Sequence, residues 1–479
     1  MRSRMNTDSK ANRVRLSAAA ALLLPGLLFC SCSAQDRWQS VEVVAEAVEA
    51  PVESVPAQPM ESAATQPAEA AVLETAVETA QEKETSGWAD PIERPKVKGI
   101  YVTGPMAGTQ NMDGLIDLVD RTELNAMVID LKNDEGYVVC ETTSPLVEEL
   151  GTMKRYVRDM PGLVARCKEK GIYLIARIVA FKDPLLTAAR PEWSLHKGDG
   201  TVFLDKDGAA WVNPYEKEAW EYLRQIAEGA AALGFDEVQF DYVRFSTDAG
   251  MKDADFGPQA EGLSKMQIIE AFAEYMADCL HPLGVAVSAD VYGMVIDSQV
   301  DQQIVGQDYA ALARHLDYIS PMVYPSHYGP YNYDIPVPDA QPYETVLAAM
   351  QASRKTLAGI ETETGSVSGN EPGPVGSVSG NEFGAAESVS ENAPGAAETV
   401  SDSEIAALQP MDGIRAKVRP WLQDFTASWV AGHISYGPEQ IRAQIQAVYD
   451  AGYEEWILWN ASNRYTEGGL QSSAGQTAG

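Results

Sequence analysis

Asp241 is the residue of this 479-residue sequence that is best placed to do chemistry. It interrupts an apolar and aromatic run within residues 234–245, where a solvated surface acid is not expected. The segment is typical of a short β-strand that ends in an acid. In barrels of parallel strands, catalytic groups lie at the C-terminal ends of the strands. If the remaining chain forms such a barrel, Asp241 is the first candidate for a catalytic group.

Side chains of related chemical types follow the other segments that are predicted to be strands. Two further acids, Asp130 and Asp290, end the second and fifth of these segments. The predicted substrate-binding residues near the strand ends are Lys132, Arg177, Gln239, Arg244, Tyr292, Tyr324, His327, Trp459 and Asn460. Carboxylates and amides bind hydroxyl groups, and aromatic rings cover the C–H face of a sugar, so this combination favours a glycan substrate. Each aromatic side chain could instead pack in the core.

Two carboxyl groups are needed to hydrolyse a glycosidic bond. They stand about 5 Å apart in retaining enzymes and about 6.5–9.5 Å apart in inverting ones. Asp241 and Asp290 lie on adjacent predicted strands, so either separation is open. We predict that Asp241 is the nucleophile and Asp290 the general acid/base, with a pKa raised by burial or by nearby negative charge. Asp130 is the third catalytic candidate, and its alternative role is to pair with Lys132 or Arg177.

Apolar runs and helical patterns alternate between residues 96 and 465. Eight runs are predicted strands, at residues 99–102, 126–130, 173–179, 237–245, 286–291, 318–323, 418–425 and 456–459. Amphipathic patterns lie between them, and several end at a glycine, which commonly terminates a helix. Apolar strands that alternate with helices predict an α/β fold, a (β/α)8 TIM barrel. The alternative is an open doubly wound sheet, although no glycine-rich nucleotide-binding motif follows a strand.

Three segments outside the predicted barrel are not expected to fold. Residues 33–95 are rich in Ala, Glu, Val and Pro, which predicts a disordered acidic tether. Residues 361–409 contain an eleven-residue repeat whose Gly, Pro, Ser and Asn content predicts a disordered low-complexity insertion. Residues 466–479 form a predicted disordered tail. The barrel therefore takes residues 96–465, interrupted by the insertion.

Residues 1–32 resemble a bacterial export signal. A basic stretch precedes an apolar stretch of about a dozen residues, which is too short to span a bilayer. The sequence LFCSC at 28–32 resembles the looser lipoboxes of spirochaetal lipoproteins and predicts lipidation of Cys32. The alternatives are Cys30 and an ordinary cleaved signal peptide. We expect an exported protein that a lipid anchor holds to the cell envelope, in the periplasm or on the outer surface.

Charge and composition limit the partners and cofactors. A formal net charge of −33 argues against nucleic acid and anionic membrane surfaces, so membrane contact is expected through the anchor alone. The five histidines show no metal-binding spacing, so neither a metal nor another cofactor is expected. A Schiff-base lyase would need a buried strand-end lysine, which Lys132 and Lys182 match by position only. The sequence does not predict an oligomeric state.

Several motifs together resemble an uncharacterised family of glycoside hydrolase domains. They lie at residues 98–102, 130–132, 176–183, 213–215, 239–245 and 321–325, and so cover nearly the whole barrel. The family is similar to α-amylase-type barrels, whose Asp nucleophile ends the fourth strand, and this implies the nucleophile role for Asp241. Gln239 stands where the amylase pattern has Arg, and Asp290 stands where it has Glu. The resemblance therefore implies neither the acid/base nor the substrate.

The predicted function is hydrolysis of a glycosidic bond by a carboxylate pair, with retention of configuration. The alternative is a non-catalytic barrel that binds a glycan at the cell surface. Such a barrel would keep the aromatic side chains and tolerate the loss of one carboxylate. Convergence of two carboxyl groups on one pocket distinguishes the two hypotheses.

Overall fold

Eight parallel strands close on themselves in the computed structural model, which describes residues 94–360 and 401–473. The first strand pairs with the eighth, and the seventh pairs with both the eighth and the sixth. Because the two ends of the sheet meet, the prediction of a (β/α)8 barrel is confirmed and the open doubly wound sheet is wrong. The strands are β1 (Lys98–Val102), β2 (Ala126–Lys132), β3 (Tyr173–Val179), β4 (Glu237–Asp241), β5 (Ala286–Tyr292), β6 (Tyr318–Met322), β7 (Trp421–Gln423) and β8 (Trp456–Trp459).

Seven helices connect these strands in turn. They are α1 (Asn111–Arg121), α2 (Met160–Glu169), α3 (Lys217–Leu233), α4 (Lys265–Leu280), α5 (Tyr309–His315), α6 (Pro342–Leu357) and α7 (Pro438–Asp450). Local sequence sets their ends: Ser264 and Gln267 form a capping box at the start of α4, and Gly234 ends α3 with a φ of 93°. Shorter helices lie in the loops, at Gly104–Ala107, Pro145–Leu150, Pro184–Ala189, Gln299–Val305 and Asp402–Ala406.

Alternate residues of each strand pack on the two sides of the barrel wall. Outward-facing residues such as Phe240 join the large core beneath the helices. A second apolar cluster fills the barrel interior with Val128, Ile175, Trp421 and Ile457. Both faces of the sheet are therefore buried, which explains why the strands read as continuous apolar runs.

Two strands differ from their predicted spans by more than two residues. β4 ends at Asp241 and not at residue 245, because Tyr242 takes a φ of 51° and turns the chain out of the sheet. The predicted seventh strand, 418–425, divides into Lys417–Val418 and β7. Pro420 lies at the break, and it has no N–H group with which to continue a ladder.

Parts of two segments that were predicted to be disordered pack on the barrel. Residues 402–406 of the predicted insertion form a helix, and Asp402 accepts a hydrogen bond from Gln351 of α6 at 2.9 Å. In the predicted tail, Glu467 forms an ion pair with Arg121 of α1 at 2.8 Å. The leader, residues 33–93 of the predicted tether, residues 361–400 and residues 474–479 lie outside the described residues.

Candidate active site

A cavity of about 360 Å³ opens at the C-terminal ends of the barrel strands. All eight strands, or the loops that follow them, contribute to its wall. The lining residues are Tyr101, Asp134, Arg177, Asp241, Tyr242, Arg244, Asp290, Tyr292, Met322, Tyr324, His327, Trp421, Phe425, Trp429 and Trp459. Active sites of (β/α)8 enzymes lie at this end of the barrel.

Asp241 lies at the end of β4 and is ion-paired with Arg177 of β3. The guanidinium donates to Asp241 Oδ2 from Nε at 2.9 Å and from Nη2 at 2.5 Å. The other carboxylate oxygen, Oδ1, accepts a hydrogen bond from the backbone N–H of Tyr242 at 2.6 Å. Asp241 is therefore fixed in orientation at the edge of the cavity.

Asp130 lies behind Arg177 and does not line the cavity. It accepts hydrogen bonds from Arg177 Nη1 at 2.7 Å and from the hydroxyl of Tyr101 at 2.7 Å. Burial raises its pKa to about 6, against the opposing effect of Arg177. The predicted alternative role, pairing with Arg177, is the one that this geometry supports. Asp134 completes the cluster with a 2.9 Å contact to Arg177 Nη2.

Lys132 and Gln239 are buried away from the cavity, so neither is placed to touch a substrate there. Lys132 forms an ion pair with Asp183 at 2.8 Å and donates to the carbonyl of Val179 at 2.6 Å. Gln239 lies in the barrel interior and donates to the hydroxyl of Ser320 at 3.0 Å. The alternative pairing of Asp130 with Lys132 is wrong, because Asp183 takes the lysine.

Asp290 lies near the end of β5 and lines the same cavity as Asp241. Its Oδ1 accepts a hydrogen bond from the indole Nε1–H of Trp421 at 2.6 Å. Burial raises the pKa of Asp290 well above its usual range, and the negative charge of Asp241 raises it further. The cavity thus holds an ion-paired carboxylate beside a carboxyl group whose neutral form is favoured.

Arg244 is the second cationic side chain of the cavity wall. Its guanidinium lies 5.3 Å from the ring centroid of Trp211 and 5.1 Å from that of Tyr242. Within the described residues, it donates a hydrogen bond only to the carbonyl of Phe245, at 3.0 Å. Its other N–H groups therefore remain available to a bound molecule.

Aromatic rings cover the side of the cavity formed by β6, β7 and β8. Trp459 stacks on Tyr101 with centroids 6.3 Å apart, and Tyr324 lies 5.8 Å from Trp459. His327 packs edge-on against Tyr324 at 5.1 Å, and burial lowers its pKa. Of the predicted binding residues, Arg177, Arg244, Tyr292, Tyr324, His327 and Trp459 therefore line the cavity.

Asn460 forms hydrogen bonds with residues of the loops that follow β7 and β8, and it does not line the cavity. Its side-chain N–H donates to the carbonyl of Asp424, and its side-chain oxygen accepts from Ser462. Cys32, the predicted lipidation site, lies outside the described residues.

Several residues of the cavity wall were not predicted as site residues. They are Tyr101, Asp134, Tyr242, Met322, Trp421, Phe425 and Trp429. Strand alternation could have found Tyr101 and Trp421, because both occupy inward positions of predicted strands. Trp429 lies in a loop beyond β7, where no periodic pattern marks it.

Arg177 occupies the position that a cation would take among the carboxylates of Asp130, Asp134 and Asp241. Within residues 94–360 and 401–473, no group of three or more His, Cys, Asp or Glu side chains is placed to hold a metal ion.

The sequence of the barrel matches one protein family over most of its length. Residues 99–365 and 382–465 match the family described as "Putative glycosyl hydrolase domain". The chain belongs to this family. No curated protein sequence matches this family member.

Solved structures resemble this member of the glycosyl hydrolase family. The glycoside hydrolase domain of PgaB (BpsB) from Bordetella bronchiseptica is 12% identical, with a TM-score of 0.50 over 76% of this chain and 94% of that one. This likeness shows a shared fold. A hypothetical protein from Ruminiclostridium thermocellum is 37% identical over 40% of this chain and 97% of that one, with a TM-score of 0.37. The spore cortex-lytic enzyme SleL of Bacillus megaterium is 11% identical, with a TM-score of 0.41 over 79% of this chain and 73% of that one.

Proposed function

We propose that this protein is a retaining glycoside hydrolase in which Asp241 is the nucleophile and Asp290 the general acid/base. One observation carries the proposal: Asp241 and Asp290 line one cavity in opposed electrostatic environments. Arg177 pairs with the charge of Asp241, whereas burial and the charge of Asp241 favour the protonated form of Asp290. Glycoside hydrolysis uses this division between an ionised and a protonated carboxyl group.

In the first step, Asp290 donates its proton to the glycosidic oxygen as the bond to the leaving sugar breaks. An oxygen of Asp241 attacks the anomeric carbon and forms a covalent glycosyl ester. Oδ1 is the better placed atom, because Oδ2 accepts both hydrogen bonds from Arg177 and Oδ1 accepts a single one.

In the second step, Asp290 acts as a base. Its carboxylate accepts a proton from water, and the resulting hydroxyl attacks the anomeric carbon. The ester bond to Asp241 breaks and returns the carboxylate to its ion pair with Arg177. Two displacements at the anomeric carbon give a product of retained configuration.

The charge of the acidic cluster suits the transition state. Three carboxylates, of Asp130, Asp134 and Asp241, surround the single guanidinium of Arg177. Positive charge develops on the sugar ring in an oxocarbenium-like transition state, and fixed negative charge in a buried site stabilises it. The aromatic side of the cavity would receive the C–H faces of the sugar.

Hydrolysis by the wild type and by Asp241→Asn tests the proposal. We expect wild-type protein to release reducing sugar from at least one member of a panel of α- and β-linked polysaccharides. The variant should be slower by at least about 10³-fold, because it lacks the nucleophile. If neither protein cleaves any polysaccharide and both bind one, the barrel is a glycan-binding module and the hydrolase proposal fails.

We also propose that the protein is exported and that a lipid on Cys32 anchors it to the cell envelope. The sequence of residues 1–32 supports this location. Within the described residues, no helix is long and apolar enough to cross a membrane. We expect Cys32→Ala to move the protein from the membrane fraction to the soluble fraction of the producing cell. Equal membrane association of both forms would contradict the anchor.

A further inference from the structure

We propose that Trp429 and Phe425 form an outer sugar-binding subsite, so that the substrate is a glycan chain that extends beyond the carboxylate pair. The inference rests on the proposed function and adds the length of the substrate to it. Three observations support it: the exposure of Trp429, its link to the aromatic rings near the carboxylates, and the anchoring of its loop.

Trp429 is far more exposed than an aromatic ring of its size usually is. Its relative exposure is 69%, and within the described residues only Tyr331, at 68%, is a comparably exposed aromatic ring. Exposing an indole to water forgoes the favourable free energy of burying its apolar surface. Trp429 lines the cavity and Tyr331 does not. An exposed ring on a cavity wall is available to a ligand.

A continuous series of rings joins Trp429 to the catalytic end of the cavity. Trp429 stacks on Phe425 with centroids 6.0 Å apart and planes inclined by 15°. Phe425 lies edge-on to Trp459 at 5.3 Å, and Trp459 stacks on Tyr101. Each step is close to the size of one pyranose ring. Trp429, Phe425 and Trp459 are not fully buried, so successive sugars of one chain can contact these three rings.

Buried polar contacts hold the loop that carries Trp429. The side chain of Gln423 donates to the carbonyl of Phe425 at 3.0 Å and to Asp339 Oδ1 at 3.0 Å. Tyr436, on the far side of the loop, donates from its hydroxyl to the carbonyl of Asp339 at 3.0 Å. Both Gln423 and Asp339 are buried. The platform is thus positioned before a ligand binds, which lowers the entropic cost of binding.

A sugar chain is the occupant that fits both sides of the cavity. Its C–H faces pack on aromatic rings, and its hydroxyl groups need polar partners. β4 lies across the barrel from β8, and from its end Arg244 offers N–H groups that have no other described acceptor. An occupant without hydrogen-bond acceptors would leave those groups unpaired. The proximity of Asp241 and Asp290 also places the occupant next to the reacting groups.

Glycans of increasing length test the subsite. The probes are malto-, cello- and chito-oligosaccharides from disaccharide to hexasaccharide, and the matching 4-nitrophenyl monoglycosides. Binding is measured by calorimetry in an Asp241→Asn background, where no cleavage occurs, and kcat/KM is measured in active protein. The variants are Trp429→Ala, Trp429→Phe and, as a matched control for loss of an exposed ring, Tyr331→Ala.

We expect Trp429→Ala to weaken binding of the longer oligosaccharides about tenfold and to leave the monoglycosides unchanged. Trp429→Phe should recover most of the loss, and Tyr331→Ala should behave as wild type. Equal values for Trp429→Ala and wild type at every length would overturn the subsite and leave the hydrolase proposal intact. Equal losses on monoglycosides and hexasaccharides would also overturn it. If no probe is bound or cleaved by any form, both proposals fail.

Discussion

The barrel contains two clusters of carboxylates around a buried arginine, one near each end. Arg177 contacts Asp130, Asp134 and Asp241 near the C-terminal ends of the strands. At the N-terminal end, Arg419 contacts two acids, one on β4 and one just before β8. These are Glu237, at 2.9 Å, and Glu455, at 3.1 Å. The clusters are built from the same groups, yet only the first borders the cavity that Asp241 and Asp290 line.

The difference lies in charge balance and access. The Arg419 cluster has two carboxylates for one guanidinium, and both Arg419 and Glu237 are shielded from solvent. The Arg177 cluster has three carboxylates, and Asp290 adds a fourth carboxyl group nearby. Like charges that must share a site push the pKa of one member upward. Under the proposed mechanism, a buried arginine supports the fold at one end and prepares the reacting groups at the other.

Replacing an acid by its amide at each of the two ends of β4 should give the largest difference in activity between two variants. Asp241→Asn should lower kcat/KM by at least about 10³-fold and leave the protein folded. Glu237→Gln leaves Arg419 with one acid fewer, and we expect it to lower the free energy of unfolding by about 3 kcal/mol. Its kcat should match that of the wild type. Activity assays and urea unfolding of both variants check the prediction. A loss of kcat in Glu237→Gln would contradict the assignment of the Arg419 cluster to stability alone.

Replacing the proposed acid should give a loss that depends on the leaving group. Asp290→Asn cannot protonate the glycosidic oxygen, so hydrolysis of natural glycans should slow by about 10²–10⁴-fold. Aryl glycosides with an acidic leaving group need little protonation and should lose far less in the first step. Pre-steady-state release of nitrophenol measures that step. An equal loss of rate for all leaving groups would show that Asp290 is not the general acid.

The same substitution should stabilise the protein at neutral pH. The folded-state pKa of Asp290 is raised above the unfolded-state value, so the folded protein loses stability as pH rises beyond about 3.9. Asparagine does not ionise, so the variant does not lose this stability as the pH rises. We expect the Tm of Asp290→Asn to exceed that of the wild type at pH 7, with the difference shrinking toward pH 4. A difference that is constant with pH would show that titration of Asp290 is not its cause.

Of the substitutions at Asp241, Asp290 and Trp421, replacing Trp421 should have the smallest effect on catalysis. Its indole is a donor only, so its bond to Asp290 Oδ1 leaves the acid proton on Oδ2. Trp421→Phe frees the proton to occupy either oxygen, and kcat should fall about tenfold with KM unchanged. Loss of this hydrogen bond should raise the pKa of Asp290, because the bond lowers it in the wild type. The alkaline limb of the pH–rate profile should therefore move to higher pH. If the limb does not move, Trp421 contributes only packing to the site.

The fold was predictable because the barrel strands are buried on both faces. All eight predicted strands are present, since continuous apolar runs mark parallel strands strongly. The errors lie at strand ends, where local geometry decides. The φ of Tyr242 and the missing N–H of Pro420 are not visible as hydrophobic pattern. The helix at Asp402–Ala406 has a capping box, formed by Ser401 and Glu404, that the sequence did contain.

The site was predictable only in part. Strand ends located Asp241 and Asp290, because position in the barrel determines the face on which a residue lies. The sequence could not decide which acid Lys132 would choose, and the structure pairs it with Asp183. Partner choice depends on distances across the barrel, which spacing along the chain does not contain. Trp429 was missed for the same reason, since its loop reaches the cavity through tertiary contacts.

Trapping the covalent intermediate tests the central claim most directly. A 2-deoxy-2-fluoro glycoside of the sugar that the polysaccharide panel identifies, carrying a good leaving group, slows release of the glycosyl-enzyme. Mass spectrometry of the digested protein then locates the attached sugar. The mechanism predicts one adduct on the peptide that contains Asp241, and none in Asp241→Asn. An adduct on another carboxylate, or cleavage to a product of inverted configuration with no adduct, would contradict it.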